Sequence, residues 1–193
     1  MNDLDVDPAL AAAVLEIETH ISEAGWDQPA RLYALVETAR LVEHEPALAA
    51  AMGLDSSSAR GSLTPVEQDQ LAPDSPLEQV LESVIWPPSV SGCAAVVERL
   101  VLPPGLDAHI PEDPADAEEF AREHPDRQEV RIVAGATRGG STYCALRLRA
   151  HDDDQSVVGA SDLVPGLLQL LAATLELDDD DTTGSTDDEG TAP

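Results

Sequence analysis

Two alternating runs either side of Arg138-Gly139-Gly140 constrain this chain more than any other stretch. Upstream, Val130, Ile132 and Ala134 alternate with Arg131, Val133 and Gly135. Downstream, Cys144, Leu146, Leu148 and Ala150 alternate with Tyr143, Ala145, Arg147, Arg149 and His151. Period-two alternation flanking a Gly-Gly turn predicts an antiparallel hairpin. One face is expected to be buried and the other wet, with the rest of the chain supplying cover for the buried one.

The start signals for that cover are plain. Asp7-Pro8 is a capping residue followed by proline at the first helical position, and Leu10, Val14, Ile17 and Ile21 recur at helical spacing up to Gly25. Glu16, Glu18 and Glu23 are assigned to the outer face of this helix. Asp27 and Pro29 repeat the signal, so Leu32, Leu35, Val36, Ala39 and Val42 predict a second helix, with Trp26 plugging the corner. A short helix is expected over Pro46–Met52. Thr64-Pro65-Val66-Glu67 and Ser75-Pro76-Leu77-Glu78 both match the capping box. The first should open a single turn and the second a helix as far as Ile85, ended by Pro87-Pro88. Val90–Leu102 is apolar on both faces except at Glu98 and Arg99, which predicts a central strand covered on both sides. Asp113 starts a helix to about Glu123, and Asp162 caps a last one through Leu167, Leu168, Leu171 and Leu175.

The expected fold is therefore α+β: a small antiparallel sheet of three to four strands covered by helices, with an N-terminal helical hairpin and a disordered acidic C-terminal tail. The chain divides into an N-terminal helical unit (1–53), a flexible linker with a short helical turn (54–74), a core packed with the N-terminal helices (75–177) and the tail (178–193).

Charge narrows the partners. The formal net charge is −28, all ten basic residues are arginine, and residues 176–193 carry eight acids and no base. Such a chain repels phosphate backbones, so no nucleic acid is expected. No stretch of about 18 apolar residues exists and the N-terminus lacks a basic region, so no membrane is expected either, and the compartment reads as cytoplasmic. Cys93 and Cys144 lie in apolar runs and are expected to be buried free thiols. Oligomeric state is left open, a homodimer included.

Sequence signals for catalysis are few. His20, His44, His109, His124 and His151 never fall at i, i+3 or i+4, so no metal site is expected. There is no Gly-x-Ser-x-Gly, and the glycines around Arg138 are explained by a turn better than by a phosphate loop, so no catalytic residue and no cofactor is expected. The reading leans away from an enzyme without excluding one. Arg131, Arg147 and Arg149 should share the outer face of the hairpin, near Tyr143 and His151, as a surface for a protein partner, an acidic segment such as Asp178–Asp181, or an anion. The alternative is that they pair with acids of a covering helix. Glu98 and Arg99, charges in a buried strand, need partners; they form either an ion pair with the next strand or the floor of a small anionic ligand pocket or active site.

Several phrases together resemble one family: Gly25-Trp26-Asp27-Gln28-Pro29 with Arg31-Leu32-Tyr33-Ala34-Leu35-Val36, Pro87-Pro88 with Gly92-Cys93-Ala94 and Val97-Glu98-Arg99, Gly139-Gly140 with Tyr143-Cys144-Ala145-Leu146-Arg147, and Leu163-Val164-Pro165-Gly166-Leu167. They are similar to a family of small actinobacterial conserved proteins of unknown function, over about Leu4 to Leu177, and the scarcity of lysine fits such a GC-rich source. The resemblance implies no activity, cofactor or site residue. At the level of fold alone, the helix–sheet–helix order is similar to type III secretion chaperones. The functional expectation is a non-enzymatic interaction or chaperone-like protein.

Overall fold

The hairpin forms, inside a larger sheet than the sequence suggests. The computed structural model describes residues 6–55, 57, 59–68, 71, 76–103 and 109–176. Helix α1 spans Pro8–Glu23, and the Asp7 carboxylate accepts from the amides of Ala9 at 2.9 Å and Leu10 at 3.3 Å. Strand β1, Arg31–Glu37, runs directly into α2, Thr38–His44, and then α3, Pro46–Ala51. Strand β2 is Leu63–Glu67, α4 is Leu77–Leu81 and β3 is Gly92–Val101. Helix α5, Pro114–Glu123, is capped by Asp113, as its sequence signal requires. Strands β4, Gln128–Thr137, and β5, Thr142–Leu148, form the hairpin, whose turn places Gly140 at φ +85°, open only to a residue without Cβ strain. Two tight turns, Arg149–His151 and Asp154–Ser156, lead to β6, Val158–Ala160, and to α6, Pro165–Thr174.

All six strands join one antiparallel sheet in the order β2-β1-β3-β4-β5-β6. The mixed helix-and-strand class matches expectation; three to four strands was too few. The N-terminal helical hairpin is the main correction. Asp27 has φ +65° rather than the extended backbone of an N-cap, and Arg31–Glu37 is a strand. Leu32 and Ala34 face one layer while Tyr33 and Leu35 face the other. A strand buried on both faces carries a continuous apolar run, and such a run also satisfies helical spacing. Thr64-Pro65-Val66-Glu67 likewise belongs to β2 and opens no helical turn. The Thr64 hydroxyl meets that of Thr38 at 2.8 Å, and Pro65 is tolerated because β2 is an edge strand. Helix α4 stops at Leu81, and α6 starts at Pro165 behind Val164, not at Asp162.

Two apolar layers sandwich the sheet. On one face α1 lays Leu10, Val14, Ile17 and Ile21 on Tyr33, Leu35, Ala94, Val96, Val133 and Ala145. The small residues let the helix sit close. A Cβ on Gly135 would lie 2.8 Å from the Val14 Cγ2 atom and 3.1 Å from the Leu10 Cδ1 atom. On the other face α4 and α6 supply Leu77, Leu81, Leu168, Leu171 and Leu175 against Cys93, Ala95, Ile132 and Cys144. Both cysteines are buried and free. Each fully buried Leu or Ile contributes about 1.5–3 kcal/mol, so the two layers dominate stability. Among the described residues no helix is long and apolar enough to cross a membrane. The expected tail, 178–193, lies outside the described residues, and with it the docking of Asp178–Asp181 on the arginines.

Candidate functional site

Register alone assembles the charged centre. Glu98 of β3 pairs with Arg131 of β4, and Arg131 with Arg147 of β5, so three charges cross three strands in one row. The row faces α1. The face expected to be wet is covered: Arg131 is 0% exposed and Arg147 is 2%. Alternation correctly separates the two faces of a strand, but it cannot say that a helix will lie on the charged one.

The covering helix brings the counter-charge. Glu18, 2% exposed, takes Arg147 through two hydrogen bonds, Nε to Oε1 at 2.5 Å and Nη2 to Oε2 at 2.9 Å. Two more carboxylates reach Arg147 from the surface: Asp152 at 3.3 Å and Asp154 at 2.9 Å. The hydrogen bonds that Arg147 donates to Glu18 foremost hold its guanidinium above its ordinary pKa, against the opposing effect of burial. Glu18 was assigned to the outer face of α1. It stands four residues after Val14 and three before Ile21, so it belongs to the buried stripe, and this spacing could have revealed it.

Arg131 is held differently. Its Nη2 reaches Glu98 Oε1 at 3.0 Å and also the Gly25 carbonyl, and its guanidinium lies 4.4 Å from the centre of the Trp26 ring. Arg149 approaches the same ring at 5.6 Å. Trp26 thus sits against two cations and donates its indole N–H to Asp152 at 2.8 Å. Arg149 lies in the turn after β5, pairs with Asp27 at 2.9 Å and Glu129 at 2.5 Å, and lowers the pKa of the Asp27 carboxyl chiefly through that hydrogen bond. Of the proposed partner surface, Arg131 and Arg147 are therefore internal and Arg149 is half-exposed and paired. Tyr143, opposite Gly135, lies two rows along, and His151 is exposed in the following turn.

Glu98 and Arg99 do not meet in a pocket. Adjacent strand residues point to opposite faces. Glu98 serves Arg131 and the Asp27 amide, 2.8 Å away, while Arg99 pairs across the other face with Glu78 at 2.5 Å. The ion pair with the neighbouring strand is the alternative that the structure contains.

The clefts lie elsewhere. One, about 700 Å³, sits where α1 begins and is lined by Asp7, Glu37, Arg40, Ser91, Arg138 and Ser141 among others. Arg138 gives its N–H groups to main-chain carbonyls: Val90 at 2.8 Å, Trp86 at 2.9 Å, Pro87 at 3.1 Å, and Leu175. It is a clasp for the end of α6, with those donors occupied. On the far face of the sheet, two clefts of about 560 and 320 Å³ share Val84 and Ile85. Ile85 is 69% exposed on the ridge between them, with Leu32, Leu71 and Pro87 on one side and Leu170 and Ala173 on the other. Exposed Glu82 and Glu176 border the second cleft. Nothing in the sequence distinguished Ile85 from the apolar stripe of a longer α4.

A family model described as PPA1309-like protein matches residues 10–176 of this chain, spanning α1 to the end of α6. No curated protein matches, and no solved structure does.

Proposed function

We propose, for a chain that belongs to the PPA1309-like protein family, a non-enzymatic role as a cytoplasmic binding protein, chaperone-like in that it receives a segment of another protein. The surface proposed is the ridge and paired clefts around Ile85, because the arginine row is covered by α1. One observation carries the reading: a large aliphatic side chain, 69% exposed, stands between a mainly apolar hollow and a second one of mixed lining. A large aliphatic side chain exposed at the edge of a hollow is a feature of interaction sites. The bordering acids and the net charge of −28 favour a basic amphipathic segment, with apolar residues seated beside Ile85 and arginine or lysine over Glu82 and Glu176.

The test is photo-crosslinking from position 85 in a native lysate. A basic partner captured by the labelled chain, released by high salt and not captured when Glu82 and Glu176 are changed to Gln, supports the reading. Crosslinking only to a second copy of this chain would replace it with self-association, and no salt-sensitive product would remove it.

A further inference from the structure

The ridge is tethered unevenly along its length. Glu82, Ser83, Val84 and Ile85 bridge two buried side chains, Leu81 at the end of α4 and Trp86. Glu82, Ser83 and Ile85 are exposed and Val84 is half-buried. The hydrogen bonds of this turn return to α4: Glu82 N–H to the Glu78 carbonyl at 3.2 Å, Ser83 N–H to Val80 at 3.0 Å and Val84 N–H to Leu81 at 3.4 Å. Among the described residues Ile85 makes none. Nothing in the turn is bonded to the sheet or to α6.

One residue further on, the tethering changes abruptly. Trp86 donates its amide to the Thr174 carbonyl at 3.4 Å and its indole N–H to the Thr174 hydroxyl at 3.0 Å, both on α6. Arg138 donates to the Trp86, Pro87 and Val90 carbonyls at 2.9, 3.1 and 2.8 Å, and ties them to the Leu175 carbonyl. Pro87-Pro88 then fixes two successive φ angles. The chain is untied up to Ile85 and clamped from Trp86 on. Segments with few buried contacts open locally at far less cost than the core, and hinges sit at such element-terminal boundaries. The turn is also a wall, because Val84 and Ile85 are the residues that the two hollows share.

We infer that Glu82–Ile85 is a flap pivoting on Leu81 and Trp86, which lifts to join the two hollows into one trough and then closes over the segment that enters. The inference rests on the reading of the ridge as the site of a basic amphipathic segment, and it supplies how that segment is admitted and kept. The joined trough runs from Leu32 and Gln68 at one end to Leu170 and Ala173 at the other. Glu82 travels with the flap, whereas Glu176 follows α6 and stays with the body. A lysine or arginine of the segment lying between these two acids draws the flap down, so the partner's own charge closes the site. Ile85 then packs on the segment's apolar side.

The test locks the flap to each side in turn, in the full chain. Ile85→Cys with Gln68→Cys bridges it across the first hollow, and Ile85→Cys with Ala173→Cys across the second. A disulfide needs Cα atoms within roughly 7 Å, so a moving flap closes both bridges under mild oxidation and a fixed ridge closes at most one. Cys93 and Cys144 are buried and take no part. None of the three substituted positions is buried, so the reduced variants should melt with the parent chain. Each form is then titrated calorimetrically with a synthetic amphipathic peptide of leucine and lysine. The reduced forms should bind it, and both oxidised forms should bind about tenfold or more weakly, because a locked flap leaves little of the admitting state. Reduction should restore the affinity. A single bridge or none, or an affinity untouched by oxidation, would overturn the flap and leave the ridge reading standing. Both bridges closed with no peptide bound by any form would remove the ridge reading and the flap's role together.

Discussion

Glu18 and Arg147 lie 129 positions apart and meet through two hydrogen bonds, at 2.5 and 2.9 Å, with both side chains 3% exposed. Their environments are unequal. Glu18 has this one ionic partner among the described residues, whereas Arg147 also has Asp152 and Asp154. Removing one member of a buried pair costs about 3–5 kcal/mol when the other is left uncompensated. Arg147→Ala should therefore reach that range, and Glu18→Ala should cost distinctly less. Urea denaturation of the two variants checks the order; equal losses would mean that the aspartates do not support Arg147.

Trp26 should matter through its ring face. Trp26→Leu keeps apolar bulk but removes the surface on which Arg131 stacks and the N–H bonded to Asp152. A loss of about 1–2 kcal/mol is expected, from the stacking and one hydrogen bond. Trp26→Phe should recover part of it. If the Phe and Leu variants melt together, the ring contributes only volume.

Gly135 fixes how close α1 lies. Gly135→Ala puts a methyl within 2.8 Å of Val14. Overpacking of this kind costs about 1–3 kcal/mol. Val14→Ala in the same chain should return part of the loss, which separates a steric effect from one on strand propensity.

How much of this was legible beforehand divides along physical lines. The β4–β5 hairpin, the central β3 and the starts of α1 and α5 were readable because each signal is local: alternation around Gly-Gly, an unbroken apolar run, Asp-Pro. Strands β1 and β2 were not. Leu32-Tyr33-Ala34-Leu35-Val36 satisfies both periods, and only its neighbours β2 and β3 decide between them. The charged row was half legible. Arg131 and Arg147 were correctly placed on one face, but the helix on that face is a tertiary fact, and its signal was a single glutamate at stripe spacing.

The acid response of the Asp27–Arg149 pair has a definite sign. The Asp27 carboxyl is held below its ordinary 3.8 by Arg149. A lowered value means that the pair contributes above about pH 3.8 and that its contribution disappears as pH falls through the folded-state value. In Arg149→Ala, the Asp27 carboxyl resonance should titrate at higher pH than in the parent chain. No displacement would show that the contact does not persist in solution.

Burial pushes the Cys93 thiol up to about 11 and raises that of Cys144 as well. Raised values add stability that is complete below the ordinary 9.0 and fades as pH climbs toward 11. At pH 8 iodoacetamide should label either thiol only as fast as the chain opens, and urea below the transition should accelerate both. Labelling at the rate of a free thiol would contradict their seclusion.

The docking of α1 on strands near the far end of the chain has a consequence for biosynthesis. Helix α1 leaves the ribosome well ahead of β5, and its greasy stripe stays incompletely covered until Arg147, 129 positions after Glu18, has been translated. Pairing over so long a separation is slow to find. During that interval the nascent chain is vulnerable to clumping, and a part made early is secured late.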